Sequence, residues 1–470
     1  MEFFLTNHHK LILILENLSK MNSIDIKSIK EEIFKTLKLA YPVIIGQLGI
    51  IMMGVVDSIM VGQLGSVPLA AASLGNSLIF LILIIGIGCS IVVSPIIAIL
   101  VGGKRYSECG TYFRQSLLVN VVLSIVMIGI ILLGVNFIHY LNQPPEVIEL
   151  AIVFMSIVGL SAFPLMVYQT YKQFIEGFSI VKPAMIIAVL ANIINAFANW
   201  VLIFGKFGFP ELGIAGSAWA TFASRVFMAL AIMFYVMRNE KFKQYDVNFH
   251  FRGLDFPIIK KILSLGLPSG FQYFFEVGAF TFAVIMIGWI GANELAAHQI
   301  AINLASISFM AVLGISQAAS IRVGNAMGER SVSKIRKAGF TGIFLGATIM
   351  SLAGLTFILL NNFLPTLYID DEAVISIASR LIIIAALFQL SDGTQAVGIG
   401  VLRGLTDVKG PTIITFIAYW VVSLPIAYLL AFNFDLGVDG VWIGLLIGLT
   451  ASAILLTLRF NYKSKHIIHI

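Results

Sequence analysis

Apolar runs of about twenty residues recur along this chain and constrain its fold more than any other feature. Across the 470 residues, twelve such runs are centred near residues 50, 85, 128, 160, 192, 225, 278, 308, 350, 388, 420 and 448. Each run can cross a bilayer as a helix, which satisfies its own backbone polar groups in lipid. Only 11% of the residues are charged, whereas soluble globular proteins have about a quarter. The sequence therefore predicts an all-α polytopic membrane protein.

The distribution of basic residues sets the orientation of these helices. If the odd-numbered loops lie outside, they carry one basic residue, Lys206, whereas the even-numbered loops carry seventeen. Cytoplasmic loops are enriched in Lys and Arg, so we expect a multi-pass protein of the cell membrane with both termini in the cytoplasm. The basic residues form no single patch, which argues against a nucleic-acid partner despite the net charge of +6.

The two halves of the chain resemble each other. A shift of 226 positions superimposes Pro42 on Pro268 and several glycines on glycines, namely Gly62 on Gly288, Gly65 on Gly291, Gly88 on Gly314 and Gly102 on Gly328. Each half contains six predicted helices, so both halves enter the membrane in the same sense. This predicts two six-helix lobes related by an axis along the membrane normal.

The domain boundaries follow from this repeat. We expect a cytoplasmic N-terminal tail over 1–33, an N-lobe over 34–237, a cytoplasmic linker over 238–256, a C-lobe over 257–460 and a C-terminal tail over 461–470. The apolar patch in the N-terminal tail is short and lacks the small-residue cleavage site of a signal peptide. Met21 is an alternative start for the chain.

Three carboxylates fall inside predicted spans: Asp57 in the first, Glu276 in the seventh and Asp392 in the tenth. A charged side chain at mid-bilayer costs about 2.5–3.5 kcal/mol on insertion scales, so such residues are usually functional or paired. Within the predicted spans, Arg225 and Arg380 are the available basic partners. Pairing and function therefore remain alternatives for these acids.

Amide side chains lie near the two acids of the second half. Gln272 is one turn before Glu276, and Gln389 and Gln395 are three residues to either side of Asp392. Carboxylates with amide neighbours offer hard oxygen ligands to a small cation. A carboxylate in apolar surroundings can also carry a proton near neutral pH. These residues are candidates for a cation site.

The fifth predicted span carries a polar stripe of Asn192, Asn195 and Asn199 at positions i, i+3 and i+7. Such a stripe either belongs to a site or supplies hydrogen bonds between helices. His298 in the eighth span is a secondary candidate, although a histidine in this setting is more often a packed residue than a ligand. The sequence has no Walker loop, zinc-protease motif or nucleophile elbow. We therefore expect a secondary transporter, with no enzymatic activity and no cofactor.

Several motifs carry a resemblance to a known family. They are "YPVIIGQLGIIMMGVVDSIMVGQLG", "KPAMIIAVLANIINAFANW", "FFEVGAF", "AAHQIAINLASISFM", "SIRVGNAMGE" and "FQLSDGTQAVGIGVLRG". Over residues 34–460 the chain resembles the multidrug and toxic compound extrusion (MATE) family, in its NorM-type branch. The resemblance implies two six-helix bundles and the export of amphipathic, often cationic drugs in exchange for Na⁺ or H⁺. We also expect a monomer in the lipid bilayer.

The resemblance also implies roles for individual residues. The acid of "FFEV", Glu276, and the acid of "FQLSD", Asp392, would be ligands of the coupling cation, including Na⁺ if the transporter is sodium-coupled. Asp57 would form a polar site of the N-lobe with Asn195 and Asn199. Some relatives carry a tyrosine four residues before the helix-10 acid, where this chain has Phe388.

One alternative of similar two-lobed shape is a flippase for lipid-linked saccharides. Such a protein is expected to line its cleft with basic residues that bind pyrophosphate. In this sequence the intramembrane acids outnumber the plausible cleft bases, which favours the drug exporter.

Overall fold

The computed structural model describes residues 2–141, 143–245 and 253–466, with side chains described from residue 27 onward except at 141. Within these ranges the regular secondary structure is helical and contains no strand. Twelve helices are long and apolar enough to cross a membrane. Each of the twelve predicted centres falls in a different one of these helices, so the all-α fold prediction is confirmed.

The twelve spans are named here in chain order. They are α1 (Lys27–Gly62), α2 (Ser66–Gly102), α3 (Tyr106–Val135), α4 (Pro145–Gly177), α5 (Lys182–Ile203), α6 (Ile214–Arg238), α7 (Phe256–Ile290), α8 (Ala292–Gly328), α9 (Val332–Leu360), α10 (Glu372–Gly404), α11 (Lys409–Asn433) and α12 (Gly437–Lys465). The helix that contains α1 begins at Glu2. Short helical turns at Ile138–Leu141, Lys206–Gly208, Glu240–Lys243 and Pro365–Leu367 lie in the connections.

Two spans are interrupted for the same physical reason. In α2 the first helical segment ends at Ile91, and in α4 it ends at Leu160. These residues lie four positions before Pro95 and Pro164. A proline ring clashes with the carbonyl of residue i−4, which breaks the helix at that point.

The span α11 is irregular in a different way. Its residues Ile417–Ser423 and Leu429–Asn433 form π-helical turns. A π-turn rotates the following side chains relative to a regular α-helix, and such turns are frequent at functional sites. Tyr419 lies in the first of these turns.

The predicted tails and linker coincide only partly with described residues. The last helix continues to Lys465, into the predicted C-terminal tail, while 467–470 lie outside the described residues. In the predicted linker, 246–252 also lie outside them. The boundaries of the tails and the linker stay predictions.

Two glycines of the internal repeat, Gly88 and Gly314, lie where the two lobes meet. A Cβ on Gly88 of α2 would lie 2.6 Å from the Cα of Gly270 of α7. A Cβ on Gly314 of α8 would lie 2.3 Å from Cγ1 of Ile44 of α1. Since 44 and 270 differ by the same offset as 88 and 314, the two contacts are equivalent under the repeat. Only glycine allows these helices to approach so closely.

A second repeat-related pair of contacts lies near the loops that carry Lys104 and Arg330. We call this side of the bundle the basic end. A Cβ on Gly102 would lie 2.1 Å from the carbonyl oxygen of Asn325, and a Cβ on Gly328 would lie 2.1 Å from that of Ile99. The lobes are therefore in backbone contact at the basic end.

At the opposite end of the bundle, the repeat glycines of α1 and α7 make no contact with the other lobe. A Cβ on Gly288 would meet no atom within 4 Å, and one on Gly62 would meet only Leu69 at 3.8 Å. Among these repeat glycines, the close contacts between the lobes thus lie at the basic end and at Gly88 and Gly314, and not at Gly62 or Gly288.

Candidate functional site

In the C-lobe, two amide side chains hold the carboxylate of Glu276. Gln272, one turn earlier on α7, donates from Nε2 to Oε2 of Glu276 over 3.1 Å. Gln395 of α10 donates from Nε2 to Oε1 over 3.1 Å. Tyr419 of α11 in turn donates its hydroxyl to Oε1 of Gln395 over 2.9 Å. Three helices therefore contribute polar groups to one buried cluster.

Asp392 completes this cluster from α10. Its side chain is only 6% exposed, and its carboxylate interacts electrostatically with that of Glu276. No hydrogen bond to the Asp392 carboxylate from a described residue is formed in this state. Two buried carboxylates repel each other when both are ionised. A cation or a proton between them would remove that repulsion.

Arg403 is the basic residue nearest to this cluster. It is buried near the end of α10, and its Nη2 lies 3.5 Å from both Oε1 of Gln272 and the hydroxyl of Tyr273. Its guanidinium lies 5.6 Å from the centre of the Tyr273 ring. Among the described residues, it forms no salt bridge with Glu276. The positive charge is thus close to the acid without neutralising it directly.

The N-lobe site is built around Asp57 of α1. Asn199 of α5 donates to Oδ1 over 2.6 Å, and Thr221 of α6 donates to Oδ2 over 2.9 Å. The same Asn199 amide also approaches Oδ1 of Asn195 at 3.2 Å. Both asparagines are fully buried, and Nδ2 of Asn195 and Oδ1 of Asn199 have no partner. The site therefore has unused polar groups around one carboxylate.

The third asparagine of the stripe has a different role. Asn192 donates to the backbone carbonyl of Gly49 over 2.6 Å, which ties α5 to α1. Asn192 therefore supplies a hydrogen bond between helices, which is one of the two roles expected for the stripe, and it does not contact Asp57. Within the stripe, Asn192 therefore serves helix packing, whereas Asn195 and Asn199 lie at the Asp57 site.

The basic residues considered as partners of the acids form their direct polar contacts with other groups. Arg225 of α6 donates to Oγ of Ser161 over 2.7 Å. Arg380 pairs with Asp439 at 3.2 Å. Within the described residues neither forms a salt bridge with an acid of the two sites, although the charge of Arg225 acts on Asp57 without direct contact. Direct ion pairing therefore does not explain these acids.

Two secondary candidates lie away from the acids. Gln389 exchanges hydrogen bonds with Ser308 of α8 at 2.9 and 3.1 Å. His298 is fully buried against Trp442, with 5.6 Å between ring centres, and both its ring nitrogens lack a partner. The structure places neither side chain beside Glu276. Within the described residues, no cluster of three or more His, Cys, Asp or Glu side chains is arranged to hold a metal ion.

Sequence reasoning did not identify Thr221 and Tyr419. Thr221 precedes Ser224 and Arg225 in a polar stretch of α6 that gives a weak signal. Tyr419 supplies a hydroxyl to the C-lobe cluster from α11. Phe388, at the position of the tyrosine in some relatives, packs against Trp442 at 5.5 Å instead.

Comparison with protein families gives a repeated match. A family model described as MatE matches residues 42–201 and again residues 268–429. The two matches begin 226 residues apart, which is the offset of the internal repeat. The repeat is therefore a property of the family as well as of this chain.

Full-length relatives and solved structures agree with this match. A probable multidrug resistance protein NorM of Mesorhizobium japonicum is 38% identical, over 93% of this chain and 95% of its own length. Multidrug resistance protein MdtK of Photorhabdus laumondii is 35% identical, over 91% of this chain and 95% of its own length. An outward-facing structure of a multidrug resistance MATE family transporter of the MOP superfamily superposes with a TM-score of 0.86. It is 22% identical and covers 93% of this chain and 97% of its own.

Proposed function

The chain belongs to the MatE family of multidrug transporters, and on this premise we propose that it is a cation-coupled antiporter. In this proposal it exports amphipathic, often cationic compounds and takes up Na⁺ or H⁺ in exchange. The relatives named above are multidrug resistance proteins. Sequence similarity over nearly the whole chain supports the same class of substrate here.

The observation that carries the coupling proposal is the pair Glu276 and Asp392. The buried Asp392 carboxylate interacts electrostatically with the partly buried Glu276 carboxylate, and Asp392 receives no hydrogen bond from the described residues. Buried charges of one sign are stable only when a counter-ion or proton compensates them. Carboxylate and amide oxygens are also the ligands that a hard cation prefers. Glu276 and Asp392 would hold the transported cation, and Gln395 would keep the Glu276 carboxylate in place through its N–H group.

Coupling requires that the cation bind one conformation more tightly than the other. The cluster draws on α7, α10 and α11, so a movement of one helix changes the arrangement of its oxygens. In our proposal, the cation stabilises the state in which drug is released outside. A monovalent cation that moves inward gains about 2.3 kcal/mol per 100 mV of membrane potential.

The conformation of the chain fits the release state. The backbone contacts of Gly102 and Gly328 close the lobes at the basic end. The positive-inside rule assigns this end to the cytoplasm. A bundle that is closed toward the cytoplasm corresponds to an outward-facing transporter in the plasma membrane.

The N-lobe supplies a second acid, Asp57, and we propose that it binds a proton or senses the bound substrate. Its carboxylate already accepts two hydrogen bonds, from Asn199 and Thr221. It is therefore better compensated than Asp392 and offers fewer free oxygen lone pairs to a metal ion. This difference favours cation binding in the C-lobe.

The test is dye extrusion by the purified chain in liposomes, with a Na⁺ gradient and a pH gradient imposed separately. Asp392→Asn is the test variant. Asp435→Asn is the matched control because Asp435 is an exposed loop residue with φ of 55°, a conformation that asparagine tolerates.

We expect one of the two gradients to drive extrusion, and we expect Asp392→Asn but not Asp435→Asn to abolish it. Extrusion that survives in Asp392→Asn would move the coupling site to Asp57. If folded protein extrudes none of several cationic dyes under either gradient, the antiporter proposal is wrong. Transport of a lipid-linked saccharide would then be measured with the same liposomes.

A further inference from the structure

A cavity of about 490 Å³ opens at the basic end between α1, α5, α6 and α8. Four cationic side chains line it: Lys35, Lys38, Lys182 and Arg322. None of its lining residues is acidic. The cavity is separate from the Glu276 and Asp57 sites and takes no part in the transport mechanism described above.

The cations of this cavity are only partly neutralised. Arg322 forms a two-pronged salt bridge with Glu32, with N–O distances of 2.8 and 2.7 Å. Lys35 lies 3.8 Å from Glu31, an exposed pair that contributes little. Among the described residues, Lys38 and Lys182 have no acidic partner within salt-bridge distance. Both are solvent-exposed, so two lysine charges are free to meet an anion.

The backbone adds to the positive potential. The helix α5 begins at Lys182, and no side chain caps its N-terminus. The first N–H groups of a helix lack an intrahelical acceptor and carry the positive end of its dipole. Ser179, in the preceding turn, has φ of 63° and also lines the cavity. Phosphate groups bind readily at such helix ends, in particular beside Lys and Arg.

The position of the cavity favours a lipid as the source of the phosphate. Lys38 precedes Gly62 by 24 residues of continuous helix, or roughly 36 Å at 1.5 Å per residue. This length slightly exceeds the hydrocarbon thickness of a bilayer, about 30 Å, so Lys38 lies at the level of the headgroups. Apolar residues Leu39 and Pro183 line the same cavity and suit the glycerol and upper acyl region of a lipid.

From these observations we propose that the cavity binds the phosphate headgroup of an anionic phospholipid. The ligand would bridge the lobes, because Lys38 and Lys182 belong to the N-lobe and Arg322 to the C-lobe. The cations line one cavity in the structure, where the basic end is closed, and in this proposal opening of that end separates Arg322 from the two lysines. Bound anionic lipid therefore stabilises the closed basic end, since a ligand favours the state that it binds better.

The experiment is native mass spectrometry of the full chain with bound phosphatidylglycerol or phosphatidylcholine. The test variant is Lys38→Gln/Lys182→Gln. The control is Lys260→Gln/Lys409→Gln, which removes the same charge from the other lobe, where Lys409 begins α11 as Lys182 begins α5. A thermal melt of each variant checks that it is folded.

We expect wild type and control to retain phosphatidylglycerol in preference to phosphatidylcholine. The test variant should bind phosphatidylglycerol about thirty-fold more weakly, from the loss of two lysines near the membrane surface. Equal retention by the test and control variants would overturn the proposal. Displacement of phosphatidylglycerol by an equal concentration of inorganic phosphate would show a phosphate site without lipid preference and would also overturn it. These readouts do not depend on transport, so they stand apart from the antiporter test.

A second measurement addresses the bridge between the lobes. Spin labels at Lys104→Cys and Glu329→Cys report the separation of the two loops at the basic end. Phosphatidylglycerol should increase the short-distance population in wild type and leave it unchanged in Lys38→Gln/Lys182→Gln. If it increases equally in both, the effect of the lipid does not arise in this cavity.

Discussion

Gln395 of α10 connects Tyr419 to Glu276: its amide nitrogen donates to the Glu276 carboxylate over 3.1 Å, and its amide oxygen accepts from the tyrosine hydroxyl over 2.9 Å. An amide held at both ends has a fixed orientation, with its N–H group directed at the acid. The Tyr419 hydroxyl therefore orients the Gln395 amide toward Glu276 without itself donating a hydrogen bond to Glu276.

The first prediction is that Tyr419→Phe weakens coupling without unfolding the protein. Loss of one hydrogen bond costs about 1 kcal/mol, so we expect the half-saturating concentration of the coupling cation to rise about five-fold. The maximal rate of dye efflux should change less. The measurement is efflux as a function of cation concentration. Tyr428→Phe, on the exposed side of the same span, is the control and should resemble wild type.

Much of this fold could be predicted from sequence because the hydropathy pattern and the internal repeat extend over long stretches of the chain. Twelve apolar runs predicted the number of helices, and the shared glycines of the two halves identified the internal repeat. That some of these glycines lie at the interface between the lobes is seen in the structure. A glycine at a close helix contact has no substitute, so its spacing survives in both halves.

The composition of the candidate site was harder to predict because it depends on the packing of neighbouring helices. Gln389 and Gln395 both lie three residues from Asp392, but at 100° per residue they flank it on different sides of α10. The packing of α8 directs Gln389 to Ser308, and Gln395 turns toward Glu276. Tyr419 reaches the site through a π-helical turn, which has no recognisable sequence pattern.

The second prediction concerns the N-lobe acid. Thr221→Val removes the hydroxyl that donates to Oδ2 of Asp57 and leaves a buried carboxylate oxygen without that partner. An unsatisfied buried group of this kind costs about 1–3 kcal/mol. We expect a lower melting temperature in detergent and slower dye efflux.

Thr221→Ser keeps the hydroxyl and is the matched control for this prediction. It should retain most of the efflux and most of the thermal stability. Equal losses in the valine and serine variants would mean that the threonine methyl group, and not its hydrogen bond to Asp57, is what matters.

The third prediction tests the backbone contact at the basic end. Gly102→Ala would place a Cβ 2.1 Å from the carbonyl oxygen of Asn325, a separation that requires the helices to move apart. We expect a marked loss of efflux and a longer distance between labels at Lys104→Cys and Glu329→Cys. Gly129→Ala is the control because a Cβ there meets no atom within 4 Å. A short label distance in Gly102→Ala would show that the contact is dispensable.

The fourth prediction concerns the salt bridge that joins α1 to α8 at the basic end. Glu32 and Arg322 are paired through both guanidinium arms, and the Glu32 side chain is 9% exposed. Removal of one partner from a fully buried pair costs about 3–5 kcal/mol because the other charge remains uncompensated, and the cost is smaller here because Arg322 is 26% exposed. We therefore expect Glu32→Gln to open the basic end and slow efflux.

The double variant Glu32→Arg/Arg322→Glu restores opposite charges at the two positions and should recover part of the closed population in the same label-distance measurement. The coupling energy follows from the double-mutant cycle of the four proteins. Additive effects in this cycle would show that the two residues stabilise the closed basic end independently. A coupling of more than about 1 kcal/mol would identify their ion pair as the contact that holds the lobes together there.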